Sequence, residues 1–200
     1  MCHLRSFGRT MSSIVAFVWL LGVGCLSAAD LEVGKPAPEF QGLEGVDGKA
    51  HSLADLKEAK VVVVCFTCNE CPVATAYQDR FMEFTTKYQD RGVAFIAVNC
   101  NSESEDLKMM QERAKEKGYN FPYAFDKTGE LATTYGAKAT PHLFVLDAQR
   151  NLRFRGPFDN KQNGQPTKFY VVDAVEALLA GKPVGVTTVK PFGCGIHNGK

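Results

Sequence analysis

The stretch that most constrains this chain is "KVVVVCFTCNECP", residues 60–72. Lys60 to Phe66 is a short, continuous, β-branched apolar run, the composition of a strand buried on both faces of a parallel sheet. After Cys71-Pro72 the period changes. Val73, Tyr77, Phe81, Phe84 and Tyr88 follow at steps of four, four, three and four, one apolar helix face, and Gly92 is placed to end it. A buried strand running directly into an amphipathic helix, with Cys68 and Cys71 at the junction, predicts a layered α/β architecture. In such sheets chemistry gathers at the carboxyl ends of the strands.

The rest of the pattern agrees. Leu31 to Gln41, with Pro36 and Pro38, reads as an extended lead-in. The Asp-Gly signal in Val46–Lys49 predicts an N-terminal hairpin. Val93 to Val98 is a second buried strand. Glu105 to Lys117 is a charged helix stopped by Gly118. Tyr123 to Phe125 suits a short strand and Leu131 to Tyr135 a short helix. Leu143 to Leu146 is a third clear strand, turned by Gln149-Arg150-Asn151 into another at Leu152 to Arg155. Lys168 to Leu179 reads as the last helix. Strands alternating with helices, then a closing hairpin and helix, predict an α/β sandwich with a mixed central sheet. From Val184 the chain reads as an irregular tail, so residues 30–183 form the predicted domain and 184–200 the tail.

Residues 1–29 read as a separate piece. Arg5 and Arg9 precede a short apolar stretch from Ile14 to Leu21, followed by Ser27-Ala28-Ala29. That is the pattern of a secretory signal cleaved after Ala29. The apolar run is too short to span a bilayer, so no integral membrane segment is expected after processing. Lipid modification of Cys25 is a weaker alternative, because Gly22 stands three places before it. Cleavage takes the net charge from +1 to −1, and no basic run stands out, which argues against nucleic acid as a partner. It also leaves five cysteines: Cys65, Cys68, Cys71, Cys100 and Cys194. Export outside the cytosol places them where disulfides persist.

The spacing of the first three cysteines decides among chemistries. An iron–sulfur run requires a fourth cysteine where Thr75 stands. Zinc requires a second ligand pair, and only Cys194 and His197 offer one. Attached haem requires His where Pro72 stands. No metal or other cofactor is therefore expected. A Cys-x-x-Cys pair at a helix N-terminus faces unpaired N–H groups and the positive end of the helix dipole, which favour thiolate. Two intervening residues bring the second sulfur within bonding reach of the first. Cys65, inside the buried run, reads as a small core residue. Glu70, between the pair, either lies in solvent or opposes thiolate formation by its charge. Thr140-Pro141 precedes the strand "HLFVLD"; a cis-proline loop there would offer an open backbone edge to a substrate strand. His142 follows as an accessory candidate.

Together "TCNECP", "VATAYQDRF", "ATPHLFVLD" and "PFGCGI" resemble the thioredoxin-like superfamily, and more closely its exported, peroxiredoxin-like branch related to the alkyl hydroperoxide reductase/thiol-specific antioxidant group. The resemblance implies a thioredoxin-like three-layer sandwich. It also implies Cys68 as nucleophile, Cys71 as resolving cysteine and Thr140-Pro141 as the substrate-binding loop, with Arg155 and Cys194 among the branch's recurrent features. Thr67 and Asn69-Glu70 stand where thioredoxins carry Trp and Gly-Pro. The final cysteine of the peroxiredoxin P-x-x-x-T-x-x-C pattern falls on Cys71, with Val64 and Cys68 at its Pro and Thr positions. The expected activity is thiol–disulfide exchange on protein thiols or disulfides, coupled to an upstream electron donor or acceptor. The alternatives are a thiol peroxidase, in which Cys194 could serve as a second resolving group, and a copper carrier using Cys68, Cys71 and a histidine. Cys100 is either a buried thiol or a partner for Cys194.

Overall fold

The computed structural model describes Met1 and residues 31–196. The signal-peptide expectation, including Cys25 and cleavage after Ala29, and His197 of the zinc reading all lie outside the described residues. The N-terminal hairpin forms as predicted: β1 (Leu43–Gly45) pairs antiparallel with β2 (Ala50–His51). Then follow β3 (Val61–Thr67), α1 (Pro72–Tyr88), β4 (Val93–Asn99), α2 (Leu107–Lys117), β5 (Tyr123–Phe125) and α3 (Glu130–Tyr135). The chain closes with β6 (Ala139–Thr140), β7 (His142–Leu146), β8 (Leu152–Gly156), α4 (Tyr170–Leu179) and β9 (Cys194–Gly195). Among the described residues, no helix is long and apolar enough to cross a membrane.

Seven strands make one mixed sheet in the order β2-β1-β5-β4-β3-β7-β8. The β-branched run is β3, at an interior position, parallel to β4 and antiparallel to β7. It is buried on both faces because it feeds two cores at once. Val61, Val63 and Cys65 point to one side, where Tyr77, Phe81, Phe84 and Tyr88 of α1 meet Val171, Ala174 and Val175 of α4. Val62, Val64 and Phe66 point to the other, against Phe40, Leu53 and the α3 residues Leu131, Ala132 and Tyr135. Each fully buried Val, Leu or Phe among them contributes about 1.5–3 kcal/mol of transfer free energy. The alternation of β3 therefore fixes its register and, with it, where the next residues leave the sheet. Cys65 is fully buried, as expected of a core residue.

Helix ends follow sequence chemistry. Gly118 closes α2 and Gly136 closes α3, both in the left-handed region that glycine occupies without penalty. Asp106 caps α2, its carboxylate accepting from Met109 N–H at 2.8 Å. The predicted helix start at Glu105 thus moves two residues on, and Glu105 itself turns inward.

The tail departs from expectation. After 184–193, which carry no helix or strand beyond a bridge from Thr188 to Arg155, Cys194–Gly195 form β9 and pair antiparallel with β6.

Candidate active site

β3 ends at Thr67, level with Asn99 at the end of β4. The chain leaves the sheet through Cys68-Asn69-Glu70 and enters α1 with Cys71 as its N-cap and Pro72 in its first turn. Proline costs nothing there, because first-turn N–H groups lack helical acceptors. The Cys71 sulfur takes the place of a capping oxygen and accepts from Ala74 N–H at 3.4 Å. Opposite stands Thr140-Pro141, whose peptide bond is cis. The Thr140 hydroxyl lies 3.3 Å from Cys68 Sγ, and the Thr140 carbonyl oxygen lies 3.0 Å from Cys71 Sγ.

The two sulfurs are neighbours, and each is the strongest influence on the other's proton equilibrium. Cys71 is held down to about 4, chiefly by the Cys68 S–H and further by Cys194, Thr140 and Ala74 N–H, against the opposing effect of burial. Cys68 is pushed far up, first because it supplies the shared proton, then by burial; the negative charge of Glu105 adds to the rise. The Thr140 carbonyl favours a thiol on Cys71. The neighbouring Cys68 and Cys194 and the Ala74 N–H favour a thiolate, and a hydrogen bond to an ionised sulfur is roughly twice as strong as a neutral one. The helix N-cap position favours charge on Cys71, the cysteine that the resemblance gives as the resolving partner.

Beneath this loop lies a carboxylate that the sequence pattern puts at the start of a charged helix. Glu105 is buried. It accepts the backbone N–H of Asn69 at 2.8 Å and of Glu70 at 3.1 Å on one oxygen, and Asn99 Nδ2 at 2.8 Å on the other. Tyr123 donates to Asn69 Oδ1 at 3.0 Å and accepts from Asn99. This network fixes the backbone between the two cysteines. A parallel strand ending beside β3 signals that its following loop stands next to the cysteines. Nothing in the sequence tells which of Glu103, Glu105 and Asp106 turns inward.

The other candidates separate. Glu70 is exposed, accepts from Ser104 Oγ at 2.6 Å and borders the cavity over the sulfurs. His142 is buried; its Nδ1 accepts from Lys138 N–H at 3.2 Å and its ring rests on Phe144, and it is not among the residues lining that cavity. Arg155 lies on β8; it donates from Nη1 to the Leu31 carbonyl at 3.1 Å, and its backbone pairs with the tail.

The cavity measures about 290 Å³ and is lined by Cys68, Cys71, Cys100 and Cys194 together with Thr140 and Asn101, among others. Cys100 is buried, and burial, reinforced by the charge of Asp126, raises its thiol to about 12. The expected open edge at Thr140 is not open. Thr140 pairs with Cys194 and Ala139 with Gly195, so the chain's own tail occupies it. Gly193 permits this: a Cβ there would lie 2.1 Å from the Thr140 carbonyl oxygen.

A mixed sheet between two helical layers, with a Cys-x-x-Cys loop capping the first long helix opposite a cis-proline, defines the thioredoxin-like class. Within that class the chain belongs to the AhpC/TSA family, which matches residues 33–155. It is 32% identical over 120 residues to the thiol-disulfide oxidoreductase ResA of Bacillus thuringiensis subsp. konkukian (strain 97-27), a match covering 58% of this chain and 65% of that protein. It is 30% identical over 140 residues to a putative peroxiredoxin in the rubredoxin operon of Clostridium pasteurianum, covering 61% of this chain and 76% of that one. Among solved structures, that of the hypothetical protein SMc02350 from Sinorhizobium meliloti 1021 superposes with a TM-score of 0.77 at 32% identity, over 84% of this chain and 95% of the other.

Proposed function

We propose that the protein is a thiol–disulfide oxidoreductase acting on protein thiols or disulfides outside the cytosol, with Cys68 and Cys71 as its redox couple. The observation that carries this reading is the place of the pair at the start of α1, where Cys71 Sγ accepts the Ala74 N–H at 3.4 Å and Cys68 and Cys71 lie 3.3 and 3.0 Å from the Thr140 hydroxyl and carbonyl oxygens. The location follows from the signal pattern of residues 1–29.

The ionised Cys71 sulfur attacks one sulfur of a substrate disulfide. A mixed disulfide forms and the other substrate sulfur departs as thiolate. Cys68 then gives its proton to the departing group and attacks Cys71 Sγ. The Cys68–Cys71 bond closes, and the substrate leaves with both sulfurs reduced. An upstream dithiol restores the pair; with substrate dithiols the same steps run in reverse. Thr140-Pro141 supplies the recognition edge, which β9 must vacate or share. Glu105 positions the loop.

The test is reduction of insulin disulfides by wild-type, Cys68→Ser and Cys71→Ser proteins. Both variants should lose turnover. Of the two, Cys68→Ser should accumulate a stable mixed disulfide on Cys71, since the closing thiol is gone. Wild-type rates in both variants would dismiss the couple.

One observation favours a second reading. Cys71, the sulfur held as thiolate, is also the position onto which the peroxiredoxin pattern falls, and that sulfur could reduce a peroxide to an alcohol while becoming a sulfenic acid. Peroxide consumption with a thiol donor separates the two: disulfide exchange without peroxide turnover removes it.

A further inference from the structure

The segment from Thr187 to Ile196 is docked along its length. Arg155 N–H donates to the Thr187 carbonyl and Val189 N–H to the Arg155 carbonyl, each at 3.0 Å. Phe192 packs on the Tyr77 ring, 6.3 Å between centroids. Gly193, at φ 145°, lets the backbone close on Thr140, and Ile196 N–H reaches the Lys138 carbonyl at 3.3 Å. Cys194 thus lies opposite Thr140 in antiparallel register, the placement a substrate strand would take on this edge by β-augmentation. Cys194 lines the same cavity as Cys68 and Cys71, and the neighbouring Cys71 raises its thiol to about 11. Cys68 and Cys71 are only 4% and 2% exposed, whereas Cys194 is exposed. While β9 stays docked, a large partner therefore meets Cys194 first.

We propose that Cys194 is a third redox thiol, carried on a tethered strand, that passes the disulfide between the buried pair and a protein dithiol partner. The proposal rests on the Cys68/Cys71 exchange above and deepens it. Reduction of a substrate leaves the Cys68–Cys71 disulfide. The Cys194 sulfur attacks Cys71 Sγ, and its proton passes to the departing Cys68 sulfur. One disulfide bond forms as another breaks, so no electrons leave the chain. A thiolate of the partner then attacks the exposed Cys194 Sγ and expels Cys71, the sulfur best stabilised as a leaving thiolate. The partner's second thiol displaces Cys194, which takes up that thiol's proton. The partner departs as a disulfide, having supplied two electrons.

The experiment treats the Cys68→Ser protein with oxidised glutathione, quenches with acid, and maps disulfides by peptide mass. Cys71 should first take up glutathione, which Cys194 then displaces, so the expected end product is an intrachain Cys71–Cys194 link. A persistent glutathione adduct on Cys71, or a Cys194-linked dimer, overturns the proposal. Adding Gly193→Ala, which keeps Cys194 but forces β9 off the edge, should cut the yield of the link at least about tenfold, in line with the steep cost of misplacing reacting groups. An unchanged yield overturns the role of docking. In turnover, Cys194→Ser should lose at least about tenfold in kcat/KM with a protein dithiol as donor and much less with dithiothreitol, which is small enough to enter the cavity. Equal losses with both donors also count against the relay. If these results go against Cys194 while Cys68→Ser and Cys71→Ser remain inactive, only the relay falls. If those two variants keep wild-type turnover, the couple itself falls.

Discussion

The charge on Cys71 has a direct electrochemical signature, read by changing pH. With Cys71 lowered and Cys68 raised, the reduced pair should hold a single proton through the neutral range. Cys100 and Cys194, at about 12 and about 11, keep their protons throughout and add nothing. The oxidised pair holds none. Two electrons are therefore taken up with one proton, and the midpoint potential should fall by about 30 mV per pH unit. Ordinary thiols near 8.5 would take up two protons and fall by about 60 mV per unit, a difference of about 90 mV over three units. The assay equilibrates the protein with glutathione or dithiothreitol buffers at each pH and counts alkylated Cys68 and Cys71. A slope near 60 mV per unit across the whole range would refute the assignment of a thiolate to this pair. Linkage gives a second reading of the same charge. A thiol depressed in the folded state adds stability that is complete above about 8.5 and lost as pH falls toward 4. Reduced wild-type protein should thus gain on Cys71→Ser in urea unfolding as pH rises through that window.

Glu105→Gln replaces one acceptor oxygen with a donor, so Asn99 Nδ2 and part of the Asn69 contact lose their partner. Hydrogen bonds to a charged group contribute about 1.5–3 kcal/mol, and urea unfolding should show a loss of that size. The same variant removes a charge that raises Cys68, so the reduced pair should become easier to ionise and the potential more oxidising; an unchanged or lower potential would contradict this. Cys65→Ala should reduce insulin at the wild-type rate while losing about 1 kcal/mol of stability to the small cavity it leaves; lost exchange activity would place Cys65 in the chemistry.

Much of the fold was legible because burial imposes periodicity. The run Val61–Phe66 lacks polar residues because both faces of β3 are covered, and the four-and-three spacing after Pro72 matches the one face α1 buries. The Asp-Gly turn and the glycines after α2 and α3 marked their elements for local backbone reasons. Cys68 and Cys71 could be picked out because a strand, a spacing and a helix start coincide there. Arg155 and His142 could not be placed, since their neighbours come from strands and segments far along the chain.

By itself the sequence determined the layers, the junction and the two cysteines that stand at it, because these follow from periodicity and from short-range backbone geometry. Tertiary structure alone decided which groups surround each sulfur, that Glu105 rather than its acidic neighbours lies under the loop, and that Cys194 sits on the edge beside Thr140. Each of those depends on contacts between segments tens of residues apart. Proton equilibria and strand pairing respond to what surrounds a group in space, and no local pattern encodes those surroundings.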